Sequence, residues 1–306
     1  MNAGSKRGAP PAGDRRVGFV GLGIMGSAMA GHLLARGWTV IGHDVDGSRQ
    51  QTFALAGGVA AADPAAVARL ADVVITLLPG GEPLRAVAEA AASAGNPRLL
   101  LADCGTLDIG DKLAARDHLA AAGARMLDCT ISGTGAQARE RDLVVWTSGD
   151  PADHARVAPV FADCARACYP VGPFGHASKF KFVANLLVAI QTVAAAEAMV
   201  LAERAGLDLA RVQEMVRSGA GNSRMWELRG PQMVAGRYDR DVASKLDVWQ
   251  KDMQVIGRYA KSLECAVPLF QASAQIFTAA MAQGMGAEDM AAVCRVMERL
   301  NGIDRS

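Results

Sequence analysis

The sequence has almost no net charge: 32 Lys and Arg against 31 Asp and Glu leave +1 over 306 residues. No global field therefore draws the chain to nucleic acid or to an anionic membrane surface. It has no CxxC pair among its six cysteines (Cys104, Cys129, Cys164, Cys168, Cys265 and Cys294), and its five histidines are scattered. Cys164 and Cys168 supply two ligands where a zinc site needs four, so no metal is expected. Free thiols in a reducing cytoplasm are the ordinary reading. Residues 1–15 lack the apolar core of a signal peptide; being polar with Gly and Pro, they are expected to form a disordered tail. One stretch, 182–201, approaches membrane-span length. Asn185, Gln191, Thr192 and Glu197 interrupt it, so a buried core helix is expected rather than a span.

What is present is ordinary for a soluble globular protein, with 51% hydrophobic and 21% charged residues, and the length allows two domains. The first half alternates strand and helix. Strands are expected at 16–20, 39–43, 73–77, 99–103, 126–129 and 143–147, with alanine-rich helices such as 82–94 and 108–122 between them. That alternation predicts a largely parallel sheet with helices on both faces. It stops near Tyr169. Pro170 to Pro173 reads as a hinge, and only helical periodicity follows. The expected architecture is a Rossmann-type α/β N-terminal domain over 16–171 and an all-α domain over 172–306, joined by a long interdomain helix. That helix runs from about Gly175 to Arg204 and is apolar on nearly every face, which predicts burial on most sides. Later helices are expected at 208–218, 224–235, 242–263, 269–283 and 289–301, with Asp208 and Asp289 as N-caps.

Gly21-x-Gly23-x-x-Gly26 follows the first strand and opens a helix. Glycines there allow a tight turn, close backbone approach to a pyrophosphate and close helix–strand packing, while the helix N-terminus offers free N–H donors. Gly21, Leu22, Gly23, Ile24, Met25 and Gly26 are therefore candidate cofactor contacts. Asp44 ends the second strand, where a carboxylate accepts from ribose hydroxyls and repels a 2′-phosphate. Val45 follows and no arginine occurs before Arg49, so NAD is expected over NADP. On the long helix, Lys181 and Asn185 lie one turn apart on one face. A lysine on a buried helix is costly unless paired, open to a cleft or neutral, which makes Lys181 a candidate for chemistry. The alternative is a surface charge snorkelling from the helix.

These residues resemble the β-hydroxyacid dehydrogenases, a family that includes 3-hydroxyisobutyrate dehydrogenase and tartronate semialdehyde reductase, with 6-phosphogluconate dehydrogenase more distant. The resemblance runs from about Val17 to Gly302. Residues 18–30, GFVGLGIMGSAMA, are similar to its opening signature, and Leu77-Leu78-Pro79 to its cofactor-contacting turn. Asp103-Cys104-Gly105-Thr106 stands for D-x-S-T, with Gly105 replacing the serine and Thr106 kept. Asp128-Cys129-Thr130-Ile131-Ser132-Gly133-Thr134 stands for D-A-P-V-S-G-G. Ser132 and Gly133 match; Thr130 and Thr134 depart, adding a hydroxyl and a Cβ where a substrate pocket is expected. Lys181 and Asn185 fall on K-x-x-x-N, and Lys251-Asp252 on the K-D pair.

The resemblance implies hydride transfer from a small 3-hydroxy carboxylic acid to NAD, with Lys181 as general base. Asn185 would hold the substrate hydroxyl or the lysine. Ser132, Gly133 and Thr134 would contact the substrate with Lys181 and Asn185, and Leu78, Pro79, Thr106 and Lys251 would join the cofactor contacts. A more polar acid than 3-hydroxyisobutyrate fits the departures. The alternative is an NAD(P)H-dependent 2-hydroxy-3-oxopropionate or related semialdehyde reductase. Imine reductases and non-enzymatic reader homologues generally lack the lysine. A homodimer or homotetramer in the cytoplasm is implied, with no nucleic-acid or membrane partner.

Overall fold

The computed structural model describes residues 15–240 and 242–305. Positions 1–14 of the expected tail lie outside the described residues. Arg15, which that expectation included, is held in place. Its carbonyl accepts from the Thr39 amide at 2.8 Å and its guanidinium donates to Asp163 at 3.1 Å. The chain divides into two compact units. One runs to Gly105, then takes Ile109–Gly133 and Gln137–Ala177; the other takes Thr106–Asp108, Thr134–Ala136 and everything from Ser178 on.

In the first unit β1 (Arg16–Val20), α1 (Ile24–Leu34), β2 (Thr39–His43), α2 (Gly47–Leu55), β3 (Val59–Ala60), α3 (Pro64–Leu70), β4 (Val73–Thr76), α4 (Gly81–Ala92) and β5 (Leu100–Asp103) come first. Then follow α5 (Ile109–Ala121), β6 (Arg125–Ser132), the short α6 (Gly135–Arg139), β7 (Val144–Ser148), α7 (Pro151–Cys164) and β8 (Ala167–Pro170). The strands form one sheet in the order β3-β2-β1-β4-β5-β6-β7-β8. Every pairing is parallel except β6 with β7. The order reverses between β1 and β4, the position at which such sheets bind dinucleotides. Strands β4 and β5 are buried along their whole length and read as near-continuous apolar runs because helices cover both faces. Two helix starts are written locally: Asp63 and Asp150 cap α3 and α7, and Pro64 and Pro151 fill the first helical turn, where no N–H is needed. The core gathers Val17, Phe19, Met29, Leu33, Ile75, Leu127 and Phe161, all fully buried. Strands β3 and β8 were not legible in the sequence; both are short, and β8 ends on Pro170, which an edge strand tolerates.

The helical unit is built on α8 (His176–Arg204), whose first two residues belong to the first unit. It continues through α9 (Leu209–Arg217), α10 (Arg224–Ala235), α11 (Leu246–Ser262) and α12 (Pro268–Ala282) to a 3₁₀ turn (Met290–Ala292) and α13 (Val293–Leu300). Burial of α8 is narrower than its composition predicts. Phe182, Ala189, Thr192, Ala196 and Met199 are buried, while Phe180, Val183, Leu187 and Leu201 stand exposed, Val183 at 63%. The aromatic contacts are core packing: Phe182 on Tyr259 at 5.1 Å between centroids, Trp249 on Phe277 at 6.2 Å. Asp208 caps α9 as expected, and Asp289 caps the 3₁₀ turn. Helix α11 starts four residues later than its periodicity suggests. The Asp289 carboxylate takes the Ala243 and Ser244 amides at 2.9 and 3.2 Å and pairs with buried Arg229 at 2.7 Å, so the chain there is pinned outside a helix.

Candidate active site

The glycine loop lies at the sheet's switch point. Gly21 has φ +98°, and a Cβ on it would stand 2.4 Å from the Leu77 carbonyl oxygen, so only glycine fits. A Cβ on Gly26 would meet the Gly21 carbonyl oxygen at 2.1 Å, the close helix–strand approach expected of the third glycine. Gly23 differs: the nearest atom to a Cβ there is Arg49 Nη1 at 3.8 Å, so the space above it is open. Gly23 is also the N-cap of α1 and has no side chain to bind the first-turn amides. Ile24 is exposed at that helix start. An uncapped helix N-terminus beside an open glycine is the donor set a pyrophosphate needs, and a dinucleotide fits it. Leu78 and Pro79 follow β4 on the other side of the switch point, half-buried and exposed respectively.

Asp44 is buried at the end of β2. Its Oδ2 accepts from the Leu22 amide at 2.6 Å and its Oδ1 from the Asp46 amide at 2.8 Å. A cavity of about 510 Å³ opens beside it, lined by His43, Asp44, Val45, Gln50 and Ala60 among others. Arg49, distant enough in sequence to suggest NAD, reaches back in space. Its Nη1 is 3.7 Å from Asp44 and its Nε 3.4 Å from Asp46.

Ser132 ends β6 half-buried, and Gly133 follows exposed at φ +145°. The departure at Thr130 proves not to face a pocket. Thr130 is fully buried, and its hydroxyl donates to the Ala177 carbonyl at 2.7 Å. It adds no polarity to a substrate site, and the inference from it of a more polar substrate falls. Two carboxylates quoted only as motif letters turn out to be fully buried, Asp103 and Asp128. Between them stands Lys112 of α5, with Nζ 2.9 Å from Asp103 Oδ2 and 2.8 Å from Asp128 Oδ1. Burial alone would pull the Lys112 ammonium down, but the two carboxylates outweigh it and hold the group charged. Lys112 was invisible to sequence reasoning: one lysine in an alanine-rich helix reads as a solvated charge.

In the helical unit Lys181 and Asn185 share one face of α8. Lys181 is half-buried, and its side chain makes neither a hydrogen bond nor an ion pair among the described residues. Burial lowers its affinity for a proton below the usual lysine range; Asp252 opposes that shift and Lys251 adds to it. Asn185 is buried, and its side-chain amide donates to Asp252 Oδ2 at 2.9 Å. The other oxygen of Asp252 lies 3.2 Å from Lys251 Nζ, which also donates to the Thr106 carbonyl at 2.8 Å. Thr106 and Thr134 belong to this unit with the lysines. Asp252 is the residue sequence reasoning undervalued: it joins Asn185 to Lys251 and acts on Lys181. Lys179, two positions from Lys181, is exposed. Buried Cys164 and half-buried Cys168 are poor nucleophiles, since burial pushes Cys168 up to about 11 and Cys164 up to about 12.

Residues 16–172 match the model of the NAD-binding domain of 6-phosphogluconate dehydrogenase. Residues 175–297 match the model described as the NAD-binding region of NADP-dependent 3-hydroxyisobutyrate dehydrogenase. The L-threonate dehydrogenase of Cupriavidus necator is 35% identical over 92% of this chain and 96% of its own length. Among solved structures, a 3-hydroxyisobutyrate dehydrogenase from Salmonella typhimurium superposes with a TM-score of 0.83 at 31% identity, covering 92% of this chain and all of that one. The 3-hydroxyisobutyrate dehydrogenase of Mycobacterium tuberculosis, solved with L-serine, gives 0.84 at 26% identity over 92% of this chain and 99% of its own. With a nicotinamide-dinucleotide-binding domain, a helical unit carrying the lysine–asparagine pair and full-length hydroxyacid dehydrogenase relatives, this chain belongs to the β-hydroxyacid dehydrogenase family of oxidoreductases acting on hydroxyl donors.

Proposed function

We propose that this protein oxidises the hydroxyl of a small hydroxy carboxylic acid, with NAD as acceptor and Lys181 as general base. A bound nicotinamide supplies the hydride acceptor. The observation that carries the reading is Lys181 itself: an amine without an ion-pair partner, its pKa lowered mainly by burial, one helical turn from an asparagine fixed by Asp252. An ordinary lysine titrates near ~10.4 and is too protonated to accept a proton at neutral pH. Lys181 is displaced toward the working range. Its Nζ takes the proton from the substrate hydroxyl oxygen as the carbon bearing that hydroxyl gives up its hydride. Asn185, with its amide donating to Asp252, keeps its carbonyl oxygen free to accept from that hydroxyl or from Lys181. Ser132 and the Gly133 amide orient the carboxylate. Lys251 adds positive charge beside Lys181, which favours the neutral amine.

L-threonate is the first substrate to try, because the L-threonate dehydrogenases of Cupriavidus necator and Escherichia coli are 35% and 31% identical to this chain. Reduction of a semialdehyde by the same residues is the reverse reaction, with Lys181 as the acid; a glyoxylate/succinic semialdehyde reductase of Arabidopsis thaliana is 26% identical. The test is NAD reduction over L-threonate, 3-hydroxyisobutyrate, glycerate and serine, with Lys181→Ala as control. The oxidation rate should rise with pH through the Lys181 pKa, since the neutral amine is the base, and the reduction rate should fall through it. Lys181→Ala within a few-fold of the native rate would sink the assignment.

A further inference from the structure

One row of polar side chains crosses the core of the sheet. Thr76, Asp103, Asp128 and Ser148 are register neighbours on β4, β5, β6 and β7. All four are buried. The Thr76 hydroxyl donates to Asp103 Oδ1 at 2.7 Å, Lys112 joins Asp103 to Asp128, and the Ser148 hydroxyl donates to Asp128 Oδ2 at 3.0 Å. The row ends on a helix: Ser148 Oγ accepts from the Ala177 amide at 3.0 Å. Thr130, two residues beyond Asp128 on the same strand, donates to the carbonyl of that same Ala177 at 2.7 Å.

Ala177 is the second residue of α8 and is fully buried. Both of its backbone groups are thus gripped by sheet hydroxyls. In an α-helix the carbonyl at 177 also accepts the amide at 181. The gripped residue therefore closes the helical turn that ends on Lys181. The Ser148 oxygen also meets a first-turn amide, one of the N–H groups at the start of α8 that have no intrahelical acceptor. A buried ion cluster is weak as a stability device, because desolvation offsets its attraction; its geometry is what it fixes.

We propose that Thr130 and Ser148 are positioning residues that clamp Ala177 and so fix the backbone of the turn presenting Lys181. The proposal rests on the assignment of Lys181 as the base. Thr130→Val keeps the shape and β preference of the side chain and deletes only the donor; Thr130→Ser restores it. The measurement is hydrogen–deuterium exchange of the full chain with NAD present, read on peptides covering 176–185, alongside kcat and KM for NAD with L-threonate as the acid. Thr130→Val should speed exchange across 177–181 by about tenfold or more while peptides elsewhere stay at native rates. It should lower kcat by about tenfold with KM for NAD unchanged, since an offset of about 1 Å at a reacting group is enough for that. Thr130→Ser should recover both. Ser148→Ala, read the same way, carries the test if Thr130→Val does not fold. Native exchange across 177–181 in Thr130→Val or in Ser148→Ala overturns the clamp, whether or not L-threonate is turned over. So does a kcat loss that Thr130→Ser does not restore. Activity in Lys181→Ala instead removes the role of the base and leaves the exchange result to judge the clamp.

Discussion

The Asn185 side-chain amide donates to Asp252 Oδ2 at 2.9 Å, tying the early turns of α8 to α11. Asp252 also raises the proton affinity of Lys181 against the larger effect of burial. Replacing it with alanine should therefore do two separable things. Asn185 loses its anchor, so kcat should drop about 10–100-fold, in the range expected when a proton-transfer group is misoriented. Lys181 loses a negative neighbour, so its pKa should fall further and the acid limb of the oxidation pH profile should move to lower pH. Rates of the Asp252→Ala variant across pH check both; a limb that stays in place would mean that Asp252 does not act on the base.

How much of this was legible in the sequence follows from how local each feature is. The glycine loop, Asp44 and the Lys181–Asn185 pair are short-range patterns whose spacing carries their local geometry. Lys112 was illegible because its partners, Asp103 and Asp128, come from two different strands, and only parallel pairing sets them side by side. Thr130 was read as pocket polarity because its acceptor, the Ala177 carbonyl, is a backbone atom far along the chain. Arg49 was read as too distant from Asp44, although the first turn of α2 folds it back. The start of α11 was misjudged because a side chain remote in sequence, Asp289, outcompetes local helical preference for the Ala243 and Ser244 amides. In each case the missing information was a side chain reaching across the fold.

The Arg49–Asp44 contact bears on cofactor choice. The carboxylates of Asp44 and Asp46 hold the guanidinium at 3.7 and 3.4 Å. While Asp44 is present its charge opposes a 2′-phosphate, and NADH should be preferred over NADPH. Asp44→Ala removes that repulsion and frees Arg49 for a charge-assisted bond to the phosphate. The ratio of kcat/KM for NADPH over NADH should rise about tenfold or more. The Leu22 amide loses its acceptor in the same variant, so absolute rates should fall with both cofactors. Steady-state kinetics with each cofactor measure the ratio, and an unchanged ratio would show that Arg49 does not reach the phosphate.

Helix α8 leaves Phe180, Val183, Leu187 and Leu201 exposed in a single chain. The first three repeat at helical spacing and form one ridge. A second copy of the chain is the expected cover, with a dimer or tetramer in solution. Light scattering coupled to gel filtration at micromolar concentration should return at least twice the 31.9 kDa chain mass. Val183→Lys should shift the protein toward monomer, whereas a native protein already monomeric would contradict the expectation.

Lys112 offers a test whose sign is unusual for a lysine variant. In the native protein its ammonium neutralises one of two fully buried carboxylates, with both contacts shorter than 3 Å. Lys112→Met fills similar volume but leaves Asp103 and Asp128 facing each other without the ammonium between them. Breaking a buried pair in this way costs about 3–5 kcal/mol. Two buried like charges raise one folded-state carboxylate pKa above its unfolded value of ~3.9. A group with a raised folded pKa contributes stability that is present below the unfolded pKa and is lost as pH rises through the folded one. The deficit of the variant should therefore shrink as pH is lowered from about 8 to about 5, where one carboxyl takes up a proton and the repulsion ends. Urea unfolding of both proteins across that interval measures it. A deficit independent of pH would place the loss in packing alone and would mean that the two aspartates do not need the ammonium between them.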